Sequence, residues 1–320
     1  MNYEALASEL IRALRGQRSQ AAMSKRLRYG SNVVRTWEAG RRFPTAARFF
    51  FSCARLGLSP NQALRKFYRS PPAWLDAADL TAPLNVARVL EDLRGNTRLQ
   101  ALAERAERSR FSISRWLSGD SEPRLPDLLR LLEATTLRVL DFVACFVDPA
   151  LLPSAAARWQ ELETARRVAD ELPWSHAVLR ALELTQYQAL PRHAPGFVAK
   201  QLGISLEEEE RCLRLLSQSK QIRRRQGRWV PGRTLTVDTR YNPDAGRKLL
   251  TWWGEVGVAR LQQGSRGQFA YNLFTVSERD LERLRDLHRA YFTELRSIVA
   301  ASEPAERVVV ANLQLFGLDE

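Results

Sequence analysis

Apolar residues recur at helical spacing from the start of the chain. Leu6, Leu10, Ile11 and Leu14 share one face of a helix over residues 3–15, and a short second helix, capped by Ser19, turns Ala22, Met23 and Leu27 inward. After a turn at residues 28–30, a third helix over residues 31–39 buries Val34 and Trp37 and stops at Gly40. Two more helices are predicted at residues 45–56 and 59–68. The layout then repeats. A shift of 79 residues places Met23 on Leu102, Val34 on Ile113, Trp37 on Trp116, Gly40 on Gly119 and Pro44 on Pro123. In this second copy Ala101, Leu102, Ala103 and Ala106 face inward, and Ser109 caps a third helix whose outer positions are Arg110, Phe111, Ser114 and Arg115.

Beyond Pro153 the periodicity predicts a connector helix at residues 155–171, then helices at 174–184, 195–202 and 206–220, the last entered through the capping box Ser205-x-x-Glu208. A hairpin follows, with strands at 221–225 and 228–230 turned at Gln226-Gly227. The last segment predicts a helix over 244–262 carrying Trp252 and Trp253, a strand over 268–276, a long helix over 277–302 and a final strand over 307–316. Along the long helix Leu281, Leu284, His288, Tyr291, Leu295 and Ile298 recur at alternating spacings of three and four, one apolar seam. His288 is the one polar group on it and is read as hydrogen-bonded packing.

Composition turns this outline toward a class of partner. The chain of 320 residues has 45% hydrophobic and 27% charged residues, which is that of a folded globular protein and not of a disordered one. Its three cysteines, Cys53, Cys145 and Cys212, are far apart and lie in apolar helical patterns, as buried thiols in a reducing compartment do. The first 23 residues carry Glu4, Glu9, Arg12, Arg15 and Arg18, so they offer no signal-peptide core, and a soluble cytoplasmic protein without membrane contact is expected. The net charge is +13 and is unevenly spread. Residues 1–69 hold 14 Lys/Arg against 3 Asp/Glu, whereas residues 70–150 hold 10 against 12, residues 151–235 hold 14 against 9 and residues 236–320 hold 11 against 12. Positive charge concentrated on one small helical segment is the footprint of a polyanion, because each neutralised phosphate releases counterions.

The first copy resembles the lambda-repressor-like (Cro/cI, xenobiotic-response-element) helix-turn-helix family. The resemblance rests on Gln20, the trio Met23, Leu27 and Val34, and the run Trp37-Glu38-Ala39-Gly40-Arg41-Arg42-Phe43-Pro44. It implies that Ser31, Asn32, Arg35 and Thr36 read base edges, Arg35 forking to guanine and Asn32 to adenine, while Gln20, Arg41 and Arg42 hold phosphates and Glu38 is structural. The second copy replaces the glutamate by Leu117 and the basic run by Asp120-Ser121-Glu122, so Arg110, Ser114 and Arg115 are only secondary candidates for DNA contact.

Residues 174–230 resemble a winged helix whose wing carries Arg223, Arg224, Arg225 and Arg228, a second set of secondary candidates. Its would-be groove helix opens with Glu207-Glu208-Glu209-Glu210, which suits a helix N-terminus and repels phosphate. The last quarter of the chain looks like the C-terminal domain of unknown function found on multi-helix-turn-helix regulators of certain bacteria. Phe274-Thr275-Val276-Ser277, the helix over 278–299, Arg307-Val308-Val309 and Gln314-Leu315-Phe316 carry that likeness, which implies a regulatory context.

The expected fold is therefore mainly α: a basic helix-turn-helix domain (1–69), a second, acidic one (70–150), a connector and winged helix (151–235), and a small α+β domain for regulation or dimerisation (236–320). His176, His193 and His288 are far apart, no Cys or His pair has metal-ligand spacing, and no phosphate loop, dinucleotide fingerprint or nucleophile elbow occurs. No enzyme activity, metal or cofactor is expected. Two functions stay open: a sequence-specific transcription regulator on double-stranded DNA at the nucleoid, working as a homodimer through the seam from Leu281 to Ile298, or a protein-interaction adaptor, antitoxin-like or RNA-polymerase-associated, with only general DNA affinity.

Overall fold

A computed structural model of the chain describes residues 1–68, 70–232, 243–300 and 302–319. Among these are seventeen α-helices and one two-stranded antiparallel sheet, so the protein is mainly α. The chain forms two compact units, residues 1–160 with 286–297, and residues 161–285 with 298–320. The expected divisions at 69 and 235 fall on residues outside those described.

The first unit holds both copies of the repeat. Helices α1 (Tyr3–Arg15), α2 (Gln20–Arg26), α3 (Val33–Glu38), α4 (Ala46–Arg55) and α5 (Pro60–Phe67) are followed by α6 (Pro83–Arg94), α7 (Leu99–Ala106), α8 (Arg110–Ser118), α9 (Leu125–Thr136) and α10 (Val139–Ala144). The 79-residue shift carries each of the first five onto one of the second five. It also holds at three of the four positions in each copy that take a positive φ: Gly16 (60°) matches Gly95 (54°), Arg28 (63°) matches Glu107 (51°), and Gly40 (69°) matches Gly119 (83°). Glycine suits such sites because it has no Cβ to clash, and the pair at 28 and 107 tolerates the strain of a larger residue in the same turn.

The two copies share a core. Phe49 and Phe50 of α4, Phe67 of α5, Phe142 of α10 and Phe146 form one aromatic cluster, with Phe67 and Phe142 5.8 Å apart, Phe142 and Phe146 5.2 Å apart and Phe49 and Phe146 5.2 Å apart. Edge-to-face pairs at these separations are favoured by the ring quadrupoles. The buried Arg138 spans the join, its Nη1 donating to the Phe67 carbonyl at 2.8 Å and its Nε lying 3.2 Å from Asp141.

The second unit contains most of α11 (Ala156–Glu171), then α12 (Trp174–Ala181), α13 (Thr185–Gln188), α14 (Phe197–Leu202), α15 (Leu206–Gln218), strands β1 (Ile222–Arg225) and β2 (Arg228–Pro231), and α16 (Pro243–Gln262). The long α17 (Glu278–Ala300) belongs partly to each unit. Val178, Tyr187, Val198, Cys212, Leu216 and Ile222 make the core. The strands expected at 268–276 and 307–316 do not form: these segments are neither helix nor strand, and the only described sheet is β1–β2. The runs Phe269 to Val276 and Val308 to Phe316 have the side chains of strands, but β-propensity acts only where a neighbouring ladder satisfies the backbone. No such ladder is present among the described residues, so the expected α+β character of residues 236–320 is absent from those described, which hold helices and irregular chain.

Truncating Phe142 to Ala is expected to cost about 3–5 kcal/mol, and hydrogen exchange in denaturant should show α1–α5 and α6–α10 losing protection together. Loss confined to α6–α10 would contradict a shared core.

Candidate nucleic-acid interface

The approach surface begins with how α2 and α3 are fixed. Ser19 Oγ accepts from the Ala22 N–H at 3.1 Å and caps α2, and Asn32 Oδ1 accepts from the Arg35 N–H at 3.3 Å and caps α3. The buried Ser24 hydroxyl knits the two helices: its Oγ lies 2.8 Å from the Gln20 carbonyl and 3.2 Å from Asn32 Oδ1, and it accepts from the Val34 N–H at 3.2 Å. Val34 and Trp37 fill the core beneath, with Tyr29 edge-on to Trp37 at 5.6 Å. Arg48 is held within the fold, its guanidinium 4.5 Å from the Tyr29 ring and 4.4 Å from the Phe51 ring.

Glu38 anchors α3 to the rest of the repeat. Its side chain is 3% exposed, and a carboxylate so removed from water requires donors. Arg15 Nε supplies one at 2.6 Å and Gln20 Nε2 another at 2.7 Å. This confirms Glu38 as structural. It also gives Gln20 a contact other than the phosphate expected of it, since its amide is turned onto Glu38.

Three further sequence-derived positions are placed differently. The third helix is shorter than expected, so Ser31 precedes it and Asn32 is its cap, with an exposed side chain whose Oδ1 is occupied by the Arg35 N–H. Thr36 is half-buried, and its Oγ1 donates to the Val33 carbonyl at 2.7 Å. Arg35, Arg41 and Arg42 are exposed and form no ion pair among the described residues.

On the second copy, Ser109 caps α8 by accepting from the Ser112 N–H at 3.1 Å, and Arg110, Phe111, Ser114 and Arg115 are all exposed. Phe111 is 71% exposed, with the Arg115 guanidinium 5.6 Å from its ring. Asp127, on α9, takes Arg108 at 2.7 Å, so part of this copy's basic charge is spent internally.

The hairpin is as the sequence describes it. Gln226 (φ 50°) and Gly227 (φ 75°) both lie in the left-handed region, as a two-residue hairpin turn of the primed type requires. Arg223, Arg224 and Arg225 are exposed, Arg224 lies 4.8 Å from the Trp229 ring, and Arg228 is half-buried. Behind the hairpin is a polar network that the sequence did not reveal. The His193 N–H donates to the Gly227 carbonyl at 3.0 Å, and the Tyr187 hydroxyl accepts from the Trp229 N–H at 3.1 Å and lies 3.1 Å from His193 Nδ1. His193 Nε2 is 3.7 Å from the fully buried Glu209, whose other oxygen accepts from the Ala199 N–H at 2.6 Å. Burial pushes the Glu209 carboxyl up and the His193 imidazole down, so both neutral forms are favoured. Glu209 stands one turn before Cys212 and Leu213, on the apolar face of α15, and that periodicity was the available signal.

The α17 seam is not a closed core. Leu281, Leu284, His288 and Leu295 are half-buried, while Tyr291 and Ile298 are exposed, and His288 Nε2 has no hydrogen-bond partner among the described residues. Trp252 and Trp253 of α16 instead pack edge-on against Trp174, at 5.0 and 5.6 Å. Cys53 and Cys212 are buried, whereas Cys145 is only half-buried. No group of metal-ligating side chains occurs among the described residues, and none of their helices is long and apolar enough to cross a membrane.

Replacing Glu38 by Gln keeps the shape and removes the charge that Arg15 pairs with. The expected loss is about 1–3 kcal/mol in chemical denaturation with helix content unchanged at room temperature, and unaltered stability would place Glu38 outside the framework of α3.

No curated protein and no solved structure matches this chain. Residues 155–318 match the family described as a domain of unknown function (DUF4423), a little over half of the sequence, and the match begins well upstream of the segment whose motifs suggest it; the protein belongs to that family.

Proposed function

We propose that the protein is a sequence-specific regulator of transcription that binds double-stranded DNA through its first repeat, a helix-turn-helix unit of the lambda-repressor-like kind with α3 as recognition helix. The observation that carries this reading is the state of the arginines around α3. Arg35, Arg41 and Arg42 are exposed and form no ion pair among the described residues, while the one carboxylate of that helix, Glu38, is buried and already matched by Arg15. A basic surface with no internal counter-charge suits phosphate, and an exposed arginine on a short, capped helix suits a base edge. Asn32 and Ser31 flank it at the helix start. The acidic second repeat is a further helix-turn-helix unit in this proposal, and α14, α15 and the hairpin form a winged helix whose exposed Arg223, Arg224 and Arg225 suit backbone phosphate. The protein acts at the nucleoid, in the cytoplasm, with no catalytic role and no cofactor.

The proposal includes a homodimer formed through the C-terminal residues. No described residue from Asp244 onward is buried, and 18 of the 23 exposed large hydrophobic residues lie there, among them Tyr271, Leu273, Tyr291, Ile298, Val309 and Phe316. Apolar surface on this scale is covered in a stable soluble protein. A second reading, an adaptor of antitoxin-like or RNA-polymerase-associated type, is favoured by the same surface and by the net acidity of residues 70–150. It requires equal affinity for all duplexes.

Arg35→Ala is expected to weaken binding to a cognate duplex by roughly 1–3 kcal/mol and to random duplex far less, whereas Arg41→Ala and Arg42→Ala should weaken both alike and flatten the salt slope by about one counterion each. Equal losses on both duplexes for Arg35→Ala would favour the adaptor, and an unchanged slope would return Arg41 and Arg42 to solvent. Tyr291→Asp with Ile298→Asp in the full chain should halve the mass seen by light scattering. A wild-type protein already monomeric at micromolar concentration would refute the dimer.

A further inference from the structure

The contact between the two repeats has the form of a symmetric dimer interface. Where they meet, the Ala46 N–H donates to the Pro123 carbonyl at 3.0 Å and the Leu125 N–H donates to the Pro44 carbonyl at 2.9 Å, on either side of an antiparallel bridge between Thr45 and Arg124. Under the 79-residue shift Pro44 is Pro123, Thr45 is Arg124 and Ala46 is Leu125. Each residue therefore meets its own equivalent or does to the other copy what the other copy does to it. That reciprocity defines an isologous, two-fold contact. The helices obey it as well: α4 packs on its equivalent α9 and α5 on its equivalent α10, and α1 against α9 is answered by α6 against α4. Phe67 and its equivalent Phe146 join the same aromatic cluster.

A two-fold rotation leaves height along its axis unchanged, so α3 and α8 stand at one level on opposite sides of it. Glu38, at the end of α3, is seven residues from Thr45, and Ser118, at the end of α8, is six from Arg124, so neither helix end is more than about 25 Å of chain from the axis. Half-sites one DNA turn apart need recognition helices roughly 17 Å to each side. The four reading positions expected of the first copy, the exposed Ser31, Asn32 and Arg35 and the half-buried Thr36, correspond under the shift to Arg110, Phe111, Ser114 and Arg115, and these second-copy residues are all exposed.

We propose that one chain, through this internal pseudo-two-fold, reads a bipartite DNA site whose two half-sites, one helical turn apart, differ in sequence. The inference rests on the reading of α3 as a recognition helix. The half-sites differ because the reading positions do: one end offers Arg35, and the other offers Arg110, Arg115 and an exposed phenyl ring suited to a thymine methyl group. The division of labour is unequal. Arg41 and Arg42 have Asp120 and Ser121 as equivalents, so phosphate affinity comes from the first copy and the second adds discrimination.

The test uses the full chain and a duplex of about 30 base pairs selected by it from a randomised pool. The expected result is one duplex bound per chain, whether or not chains dimerise, and a non-palindromic consensus of two elements about one turn apart. The exposed double variant Phe111→Ala with Arg115→Ala should lose affinity for that duplex roughly tenfold and lose the second element alone from a repeated selection. Two chains per duplex, a palindromic consensus, or a double variant with unchanged affinity and consensus would overturn the inference while leaving the first repeat as a reader, provided Arg35→Ala still weakens binding. A pool that yields no consensus with the wild-type chain would overturn both.

Discussion

The aromatic join between the repeats is the constraint on which the first unit depends. Each copy alone is a five-helix unit of fewer than 80 residues, a size at which a single core is marginal, and the cluster of Phe49, Phe50, Phe67, Phe142 and Phe146 lets the two bury their fourth and fifth helices in each other. It fixes more than stability. Because the backbone on both sides of the Thr45–Arg124 bridge is hydrogen-bonded across the join, α3 and α8 are held at set positions, and any surface they offer is offered as a pair.

Charge is distributed to match that division. In the first copy carboxylates are few and the one on α3 is withdrawn into the fold, where Arg15 and Gln20 satisfy it. The second copy exposes Asp120, pairs Arg108 with Asp127 and buries Asp141 beside Arg138. Neighbouring copies of one layout thus differ in how much positive charge is left for a partner, and the difference comes from few positions: Glu38 against Leu117, and Arg41-Arg42 against Asp120-Ser121. Farther along, Glu209 repeats the first copy's solution in another setting. An acidic side chain in the middle of an acidic helix start is buried to tie α14 and α15 to the basic hairpin through His193 and Tyr187.

Much of this was legible in the sequence, because helices declare themselves through period and caps. The ten helices of the repeats, the 79-residue shift and the hairpin with its Gln226-Gly227 turn follow from side-chain spacing, and the resemblance of the first copy implied the structural part of Glu38. What escaped depends on partners distant in sequence. Asn32 reads as a position on a helix face until the helix is seen to begin one residue later, and Gln20 reads as a phosphate ligand until Glu38 is found turned toward it. Glu209 was hidden in a run of four like residues. The segments at 268–276 and 307–316 have the composition of strands, yet a strand is a property of two chains segments side by side, and composition does not supply the second. The pseudo-two-fold was present in the repeat but not deducible from it, since equal copies can be strung apart as readily as paired.

The central claim is that the first repeat reads DNA sequence. Footprinting of the full chain on sheared genomic fragments at near-physiological salt tests it most directly, because non-specific affinity fades there while base contacts persist. The account expects a small number of discrete protected sites of about two helical turns. Smooth protection of all fragments, rising with protein concentration and showing no preferred position, would contradict it.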